Sequence, residues 1–456
     1  MKIFDFIQDV KNKSLDIVEH TYKVLEEAKK INKEYNYFNT ISEELAIEQA
    51  KAVQKAPRGK LAGLPVSVKD CICVKSVEST AGSKILKNYK PVFNATAVQR
   101  AIDEGAIIIG KTAQDEFGFG SFSCNVGIDF KIPLNPFDKN RVCGGSSGGA
   151  AGITQLAKFP HIALAESTGG SIVNPASFCG VIGLCPTYGL VSRYGLIDYA
   201  DSLDKIGVMA KEIEDVDLML NVIKGNDRKD ATSLKQDTNK DKTIKKVALI
   251  KESLDVDKEI KEIILSNLDN LKIKYEKISL PLTAKYGIPC YYIIAMSEAS
   301  TNLARYCGIK YGLHEELKGN FDEYFSNVRS KGFGEETKRR IILGTFARMA
   351  GYRDKYYSKA MQVRTLIIQE YKKAFSKYDL LVSPTMPIIA PKFFDAAKLT
   401  PLQNYMMDTL TVGPNLAGLP HITLNASLLQ KMPVGIMFIA NHLDENKLIA
   451  VGEKLR

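Results

Sequence analysis

Three serines lie in two glycine runs. "CGGSSGG" carries Ser146 and Ser147, and further along "ESTGGSIVNPASFCG" sets Ser171 behind Gly169 and Gly170. Glycines ahead of a serine let the backbone turn tightly enough to aim successive N–H groups at one point, which is what a developing oxyanion needs. On that ground Ser171 is a better nucleophile candidate than Ser146 or Ser147, although flexible loops or tight packing turns would use the same residues. A phosphate loop closes with Lys-Ser or Lys-Thr after its glycines, and a dinucleotide loop shows G-x-G-x-x-G directly after a strand. "CGGSSGG" does neither. A serine hydroxyl is a poor nucleophile until a base takes its proton. The five histidines are His20, His161, His314, His421 and His442, and none sits in a setting that announces a base. The alternative is Lys69 in "GLPVSVKDCI", directly after a strand-like run, where burial would favour the neutral amine. A lysine ending a strand is equally a structural or surface charge.

Such residues need a rigid frame. The short apolar runs "LPVSV" (64–68), "AIIIG" (106–110), "HIALA" (161–165), "KVALI" (246–250), "DLLVSP" (379–384) and "VGIMFIA" (434–440) alternate with helix-length segments. That rhythm predicts an α/β fold with a sheet covered on both faces. Two helices should open the chain as a docking layer. One follows Ser14 and shows Leu15, Val18, Tyr22 and Leu25 on one face; the other starts with a capping box from Thr40 to Glu43 and carries Leu45 and Ala46. The polar stretch 225–243 breaks the rhythm and reads as a surface excursion between two halves of one sheet.

The 456 residues, 45% of them apolar, suit a soluble globular enzyme with a deep site. The opening MKIFDFIQDVKNK lacks the continuous apolar stretch of a signal peptide or membrane span, so a cytoplasmic protein without membrane attachment is expected. Eight cysteines, including Cys71 and Cys73, lack metal-ligand spacing and read as reduced thiols. The net charge of +10 is compatible with a polyanion such as RNA but is modest for this length.

"GLPVSVKD", "CGGSSGG" and "STGGSIVNPASFCGVIGLCPTYGLVSRYG", in this order, resemble the signature of the amidase signature family. The resemblance implies one large α/β/α domain with a mixed central sheet over residues 1–456. Within it lie an N-terminal helical layer (1–60), a signature core (61–210) and a second half carrying the substrate pocket (244–456). It also implies a Ser–cis-Ser–Lys triad with Ser171 as nucleophile, Ser146 as bridge and Lys69 as base. Backbone N–H groups of Thr168, Gly169, Gly170 and Ser171 would form the oxyanion hole.

"YYIIAMSEASTNLARYCGIKYG" (291–312), "GFGEETKRRIILGTFARMAGYRDKYYSKAMQVRTLI" (332–367) and "DTLTVGPNLAGLP" (408–420) are similar to the branch formed by glutaminase subunits of tRNA-dependent amidotransferases. In that branch the glutaminase frees ammonia from glutamine, and its partner, the B subunit, uses ATP to amidate glutamyl-tRNA; a small C subunit braces the two. The resemblance implies no metal or cofactor in the glutaminase itself, with ATP and Mg belonging to the partner. It places free glutamine on Tyr291, Arg340 and Asp408, the arginine on the α-carboxylate and the aspartate on the α-ammonium. Alone, Arg340 in its charged run would read as a solvated helical face, and Asp408 as a helix-surface residue.

The chain departs from the family's pattern at several places. Ser167 and Val173 replace an aspartate and an arginine, and Glu166, Cys185 and Cys124 stand where a small residue, a lysine and an acid are usual. Cys124 lies in "GSFSCNVG", similar to the substrate-facing loop associated with the ammonia route, so a weaker relay of ammonia is one expectation. One extra residue falls within "LAKFPH" (156–161), and the sequence stops soon after "ENKLIAVGEKLR", which suggests a missing final helix. Two other functions compete: a stand-alone amidase for another small carboxamide, and a catalytically weakened structural member of the same complex.

Overall fold

The computed structural model describes residues 2–271 and 273–455. Its strands are β1 (Phe38–Ile41), β2 (Pro65–Lys69), β3 (Ile107–Thr112), β4 (Ile162–Ser167), β5 (Ile182–Cys185), β6 (Lys205–Ala210), β7 (Val247–Ile250), β8 (Tyr275–Ile278), β9 (Leu380–Pro384), β10 (His421–Leu429) and β11 (Met432–Ala440). They form one 11-stranded sheet in the order β1-β3-β2-β4-β6-β5-β10-β11-β9-β7-β8. β2 is parallel to β3 and β4, and β7 to β8 and β9, while the central pairs are antiparallel, so the sheet is mixed. Every residue of β2, β3, β4, β6 and β9 is buried, which requires cover on both faces. Each of the six apolar runs contributes a strand.

The frame puts chemistry at strand ends. Lys69 is the last residue of β2 and Ser167 the last of the parallel β4, so both chains leave the sheet at the same edge. The loops beyond the carboxyl ends of parallel strands are where an α/β sheet leaves room for a ligand. One glycine-serine run leads into the helix Gly148–Leu156 and the other into the helix Val173–Cys179.

The N-terminal layer differs from expectation. A helix Ile3–Lys11 comes first, burying Phe6, Ile7 and Val10. The next, Ile17–Tyr35, is capped by Asp16, whose carboxylate accepts from Val18 N and Glu19 N, and not by Ser14. It buries Ile17, Thr21, Val24 and Leu25, whereas Tyr22 faces out. No capping box forms at Thr40, because Thr40 is committed to the edge strand β1. The helix Glu43–Lys55 is entered at Ser42, whose hydroxyl instead donates to Ile108 O at 2.7 Å.

The stretch 225–243 carries no regular element but is tied down. Asp227 accepts from Thr96 and Ser192, and Asp230 from Arg193 N at 2.8 Å. Among the described residues no helix is long and apolar enough to cross a membrane.

Candidate active site

Lys69, Ser146 and Glu166 meet in the interior. Lys69 Nζ lies 2.7 Å from Ser146 Oγ, 3.0 Å from the Glu166 carbonyl and 2.7 Å from Glu166 Oε2. The peptide bond Gly145–Ser146 is cis. Two glycines permit the close approach. A Cβ on Gly145 would stand 2.3 Å from Asp115 Oδ2, and Gly144 adopts φ +77°, which a side chain would strain. Ser147, beside the bridging position, donates to the Glu166 carbonyl at 3.1 Å.

Ser171 follows the buried Thr168, Gly169 and Gly170 and is itself 7% exposed. A Cβ on Gly169 would come within 2.4 Å of the Tyr291 ring, so this glycine is what lets Tyr291 lie against the turn before Ser171. Burial of both rings pushes the Tyr291 and Tyr292 phenols well above their ordinary range, so they act as neutral hydrogen-bonding groups.

Arg340 is 2% exposed, contrary to its reading as a solvated face. Its Nε donates to Glu336 Oε1 at 2.8 Å and its Nη1 to the Tyr199 hydroxyl at 2.6 Å. Phe119, Tyr292 and Tyr405 rings surround the guanidinium at 5.0, 5.3 and 5.4 Å. Weak hydration and a planar charge suit arginine to such an aromatic cage.

Asp408 is also buried rather than on a helix surface, accepting from Tyr292 OH at 2.7 Å and Asn174 Nδ2 at 3.0 Å. Burial pushes its carboxyl up, against the pull of those donors and of Arg340. Tyr292 thus contacts both the guanidinium and the carboxylate, and it follows Tyr291 in a tyrosine doublet of which sequence reasoning used only the first. Tyr199, Phe119, Asn174 and Tyr405 were missed as well. The only signal for them was aromatic or amide character, which many other residues of the chain share. A cavity of about 580 Å³ opens over Arg340, bounded by Ser121, Cys124, Asn125, Glu336 and Tyr405.

The departures from the family pattern have local answers. Ser167 and Val173 are fully buried, and with both members of the pair absent no charge is stranded. At Cys185, where the family resemblance implied a lysine, Lys205 on the adjoining β6 lies against the thiol and donates to Leu419 O at 3.3 Å. Burial pushes the Lys205 ammonium down and the Cys185 thiol up. Cys124 lines the cavity with its thiol pushed up by burial. Its loop is pinned by Asp115, which accepts from Ser123 N at 3.0 Å and Asn125 N at 2.8 Å.

The histidines serve packing. His161 Nε2 lies 2.9 Å from Ser67 Oγ, and His421 Nδ1 lies 3.1 Å from Leu419 O. All eight cysteines are free.

The chain resembles known proteins over nearly its full length. The model of the Amidase family matches residues 19–449. The A subunit of glutamyl-tRNA(Gln) amidotransferase from Archaeoglobus fulgidus is 43% identical, with 92% of this chain and 91% of the relative covered. Its counterpart from Streptococcus sanguinis is 44% identical, with 95% and 91% covered. The crystal structure of the same amidotransferase component from Thermotoga maritima superposes with a TM-score of 0.77 at 32% identity, covering 96% of this chain and 91% of that one. A match spanning all the segments that build the relay and the pocket makes this chain a member of the amidase family.

Proposed function

We propose that the chain is the glutamine amidohydrolase component of a glutamyl-tRNA(Gln) amidotransferase. The observation that carries this reading is a buried cluster in which Arg340, paired with Glu336 at the cavity, and the buried carboxylate of Asp408 both contact Tyr292, beside the Lys69–Ser146 pair. A free amino acid offers one anion and one cation, so opposite charges in one pocket match its α-carboxylate and α-ammonium. The charges leave the side-chain amide to face Ser171. Tyr291 lies between pocket and turn.

In this mechanism Lys69, as the neutral amine, takes the Ser146 proton while Ser146 takes that of Ser171. Ser171 Oγ bonds to the carboxamide carbon, and the oxyanion is held by backbone N–H groups of Thr168 to Ser171. Collapse of the tetrahedral adduct breaks the C–N bond, the relay returns a proton to the departing ammonia, and water resolves the acyl-enzyme. The B subunit, with ATP and Mg, receives the ammonia and amidates glutamyl-tRNA; a small C subunit braces the pair.

The test is ammonia release from glutamine by the chain alone, then with the B subunit, glutamyl-tRNA and ATP, with Ser171→Ala as control. Release that rises with the full set and disappears in Ser171→Ala is expected. A folded complex that amidates with free ammonia yet never releases it from glutamine would defeat the reading and favour a purely structural role.

A further inference from the structure

Lys69 is held by more than the serine relay. Ser146 Oγ, the Glu166 carbonyl and Glu166 Oε2 lie 2.7, 3.0 and 2.7 Å from Nζ, giving three acceptors for the three N–H bonds of an ammonium. The Lys69 and Glu166 side chains are 0% and 4% exposed. The backbone closes over them at Gly118, where a Cβ would stand 3.4 Å from Ser146 Oγ and 3.6 Å from Glu166 Oε2.

The contact continues inward. Thr168 Oγ1 is 2.8 Å from both Glu166 Oε1 and Asp204 Oδ1. A hydroxyl has one proton to give, so one of the two carboxyl groups must donate to it. Burial and the neighbouring Glu166 push the Asp204 carboxyl up, against the pull of Tyr199 N and Ala200 N on its other oxygen, which favours Asp204 as the donor. The row then reads Asp204 to Thr168, Thr168 to the Glu166 carboxylate, and Glu166 to the Lys69 ammonium, with one anion balancing one cation.

Other charges nearby are otherwise engaged. Asp115, from the loop after β3, interacts with Lys69 across space and is itself pushed up to about 6 by burial. Asp70, next to Lys69 on the chain, pairs with Lys111 at 3.5 Å and accepts from Thr80 and Asn39. Cys71 Sγ lies 4.0 Å from Glu166 Oε2, its thiol pushed up by burial.

We propose that Glu166 is a positioning residue that locks Lys69 as an ammonium in the resting site, so that the Ser146–Ser171 relay runs only in molecules that have shed that proton. The inference rests on Lys69 being the base of the reaction above. The ammonium gives one proton to water, and the freed lone pair turns to Ser146. Nζ then takes the Ser146 proton, Ser146 takes that of Ser171, and the Ser171 oxygen forms its bond to the amide carbon as the carbonyl electrons move to oxygen. The ammonium re-formed at Lys69 later supplies the proton, through Ser146, to the leaving ammonia.

The experiment is the pH profile of kcat/KM for glutamine in the assembled complex, wild type against Glu166→Gln. Glutamine keeps an acceptor for Lys69, and the Thr168 hydroxyl oxygen, with two lone pairs, can accept from the glutamine amide as well as from Asp204, so the charge is lost without a clash of donors. The ascending limb is expected to move to lower pH by at least about one unit, making the variant roughly tenfold faster on that limb. KM and the alkaline plateau should stay within about twofold. An unmoved or raised midpoint, or a uniform loss at every pH, overturns the proposal. Glu166→Ser removes the charge with a smaller side chain and should shift the limb the same way if the glutamine variant fails to fold. Labelling of Ser171 by phenylmethanesulfonyl fluoride across the same pH range needs neither glutamine nor partner. A wild-type chain that labels but never hydrolyses glutamine would defeat the substrate reading alone, whereas equal labelling midpoints in wild type and variant would defeat this one.

Discussion

Lys69 and Glu166 form an ion pair with almost no access to water, and such a pair is held by the mutual need of its members. Replacing one member with an apolar residue leaves the other charged, buried and unpaired, a loss of about 3–5 kcal/mol, while replacing both is far milder. Lys69→Met is therefore expected to abolish ammonia release and to lower the thermal midpoint. The double variant Lys69→Met/Glu166→Gln should recover much of that midpoint and none of the activity. Thermal scans alongside the ammonia assay check both halves. Equal midpoints for the single and double variants would show that the pair carries little of the fold's stability. The same residues mark how far the sequence could be read. The glycine-serine runs and a lysine at a strand end are local and carried their signal openly. Glu166 showed only as a departure from a family pattern, because its meaning depends on β2 and β4 being neighbours, and no local spacing encodes that.

Among the elements, the helix Glu335–Arg348 positions Arg340, and it lies against the helix Pro281–Asn302 at Gly344. A Cβ there would stand 1.9 Å from Met296 O, so Gly344→Ala must push the helices apart. Overpacking of this kind costs about 1–3 kcal/mol, and the shift should move Arg340 relative to Tyr291 and Tyr292 on the facing helix. The expected outcome is a lower thermal midpoint together with a raised KM for glutamine. A second element, β4, begins beside a buried histidine. His161 is 6% exposed and bonded to Ser67 of β2, and burial pushes it down to about 3 from an ordinary value near 6.5. The unfolded chain then binds the proton first, so stability falls as pH drops below about 6.5 towards 3. Relative to His161→Asn, the wild type should lose about 2–3 kcal/mol between pH 6.5 and 4.5, read by denaturation at the two pH values. The six predicted strands are runs of buried apolar residues. β1, β5, β6, β8 and β10 escaped for physical reasons: β1 buries only Phe38, β8 is half exposed, β5 and β6 are broken by glycine, and β10 is buried only in its first half. The capping signal at Thr40 misled because tertiary pairing with β3 outcompeted a local cap.

Across the whole molecule the proposed reaction is divided. Lys69, Ser146 and Ser171 come from the first part of the chain and Tyr291, Arg340 and Asp408 from the second, so catalysis depends on how rigidly the two parts are joined. Glu116 is one such joint. Its carboxylate accepts from Ser83 on the relay side and, across the join, from Gly334 N at 2.9 Å and Thr337 Oγ1 at 2.6 Å. Gly334 and Thr337 open the helix that carries Arg340, where a carboxylate also complements the helix dipole. Burial pushes the Glu116 carboxyl up, and those donors offset part of that cost. Glu116→Ala removes the joint while leaving every relay residue in place. Loss of hydrogen bonds to a buried carboxylate is worth about 1.5–3 kcal/mol, which corresponds to a rise in KM for glutamine of roughly tenfold to a hundredfold. Because the relay does not run through Glu116, sulfonyl fluoride labelling of Ser171 should keep its wild-type rate. Slower labelling in step with the higher KM would mean that the joint sets the serine relay as well as the pocket, and that the two parts behave as one unit under strain.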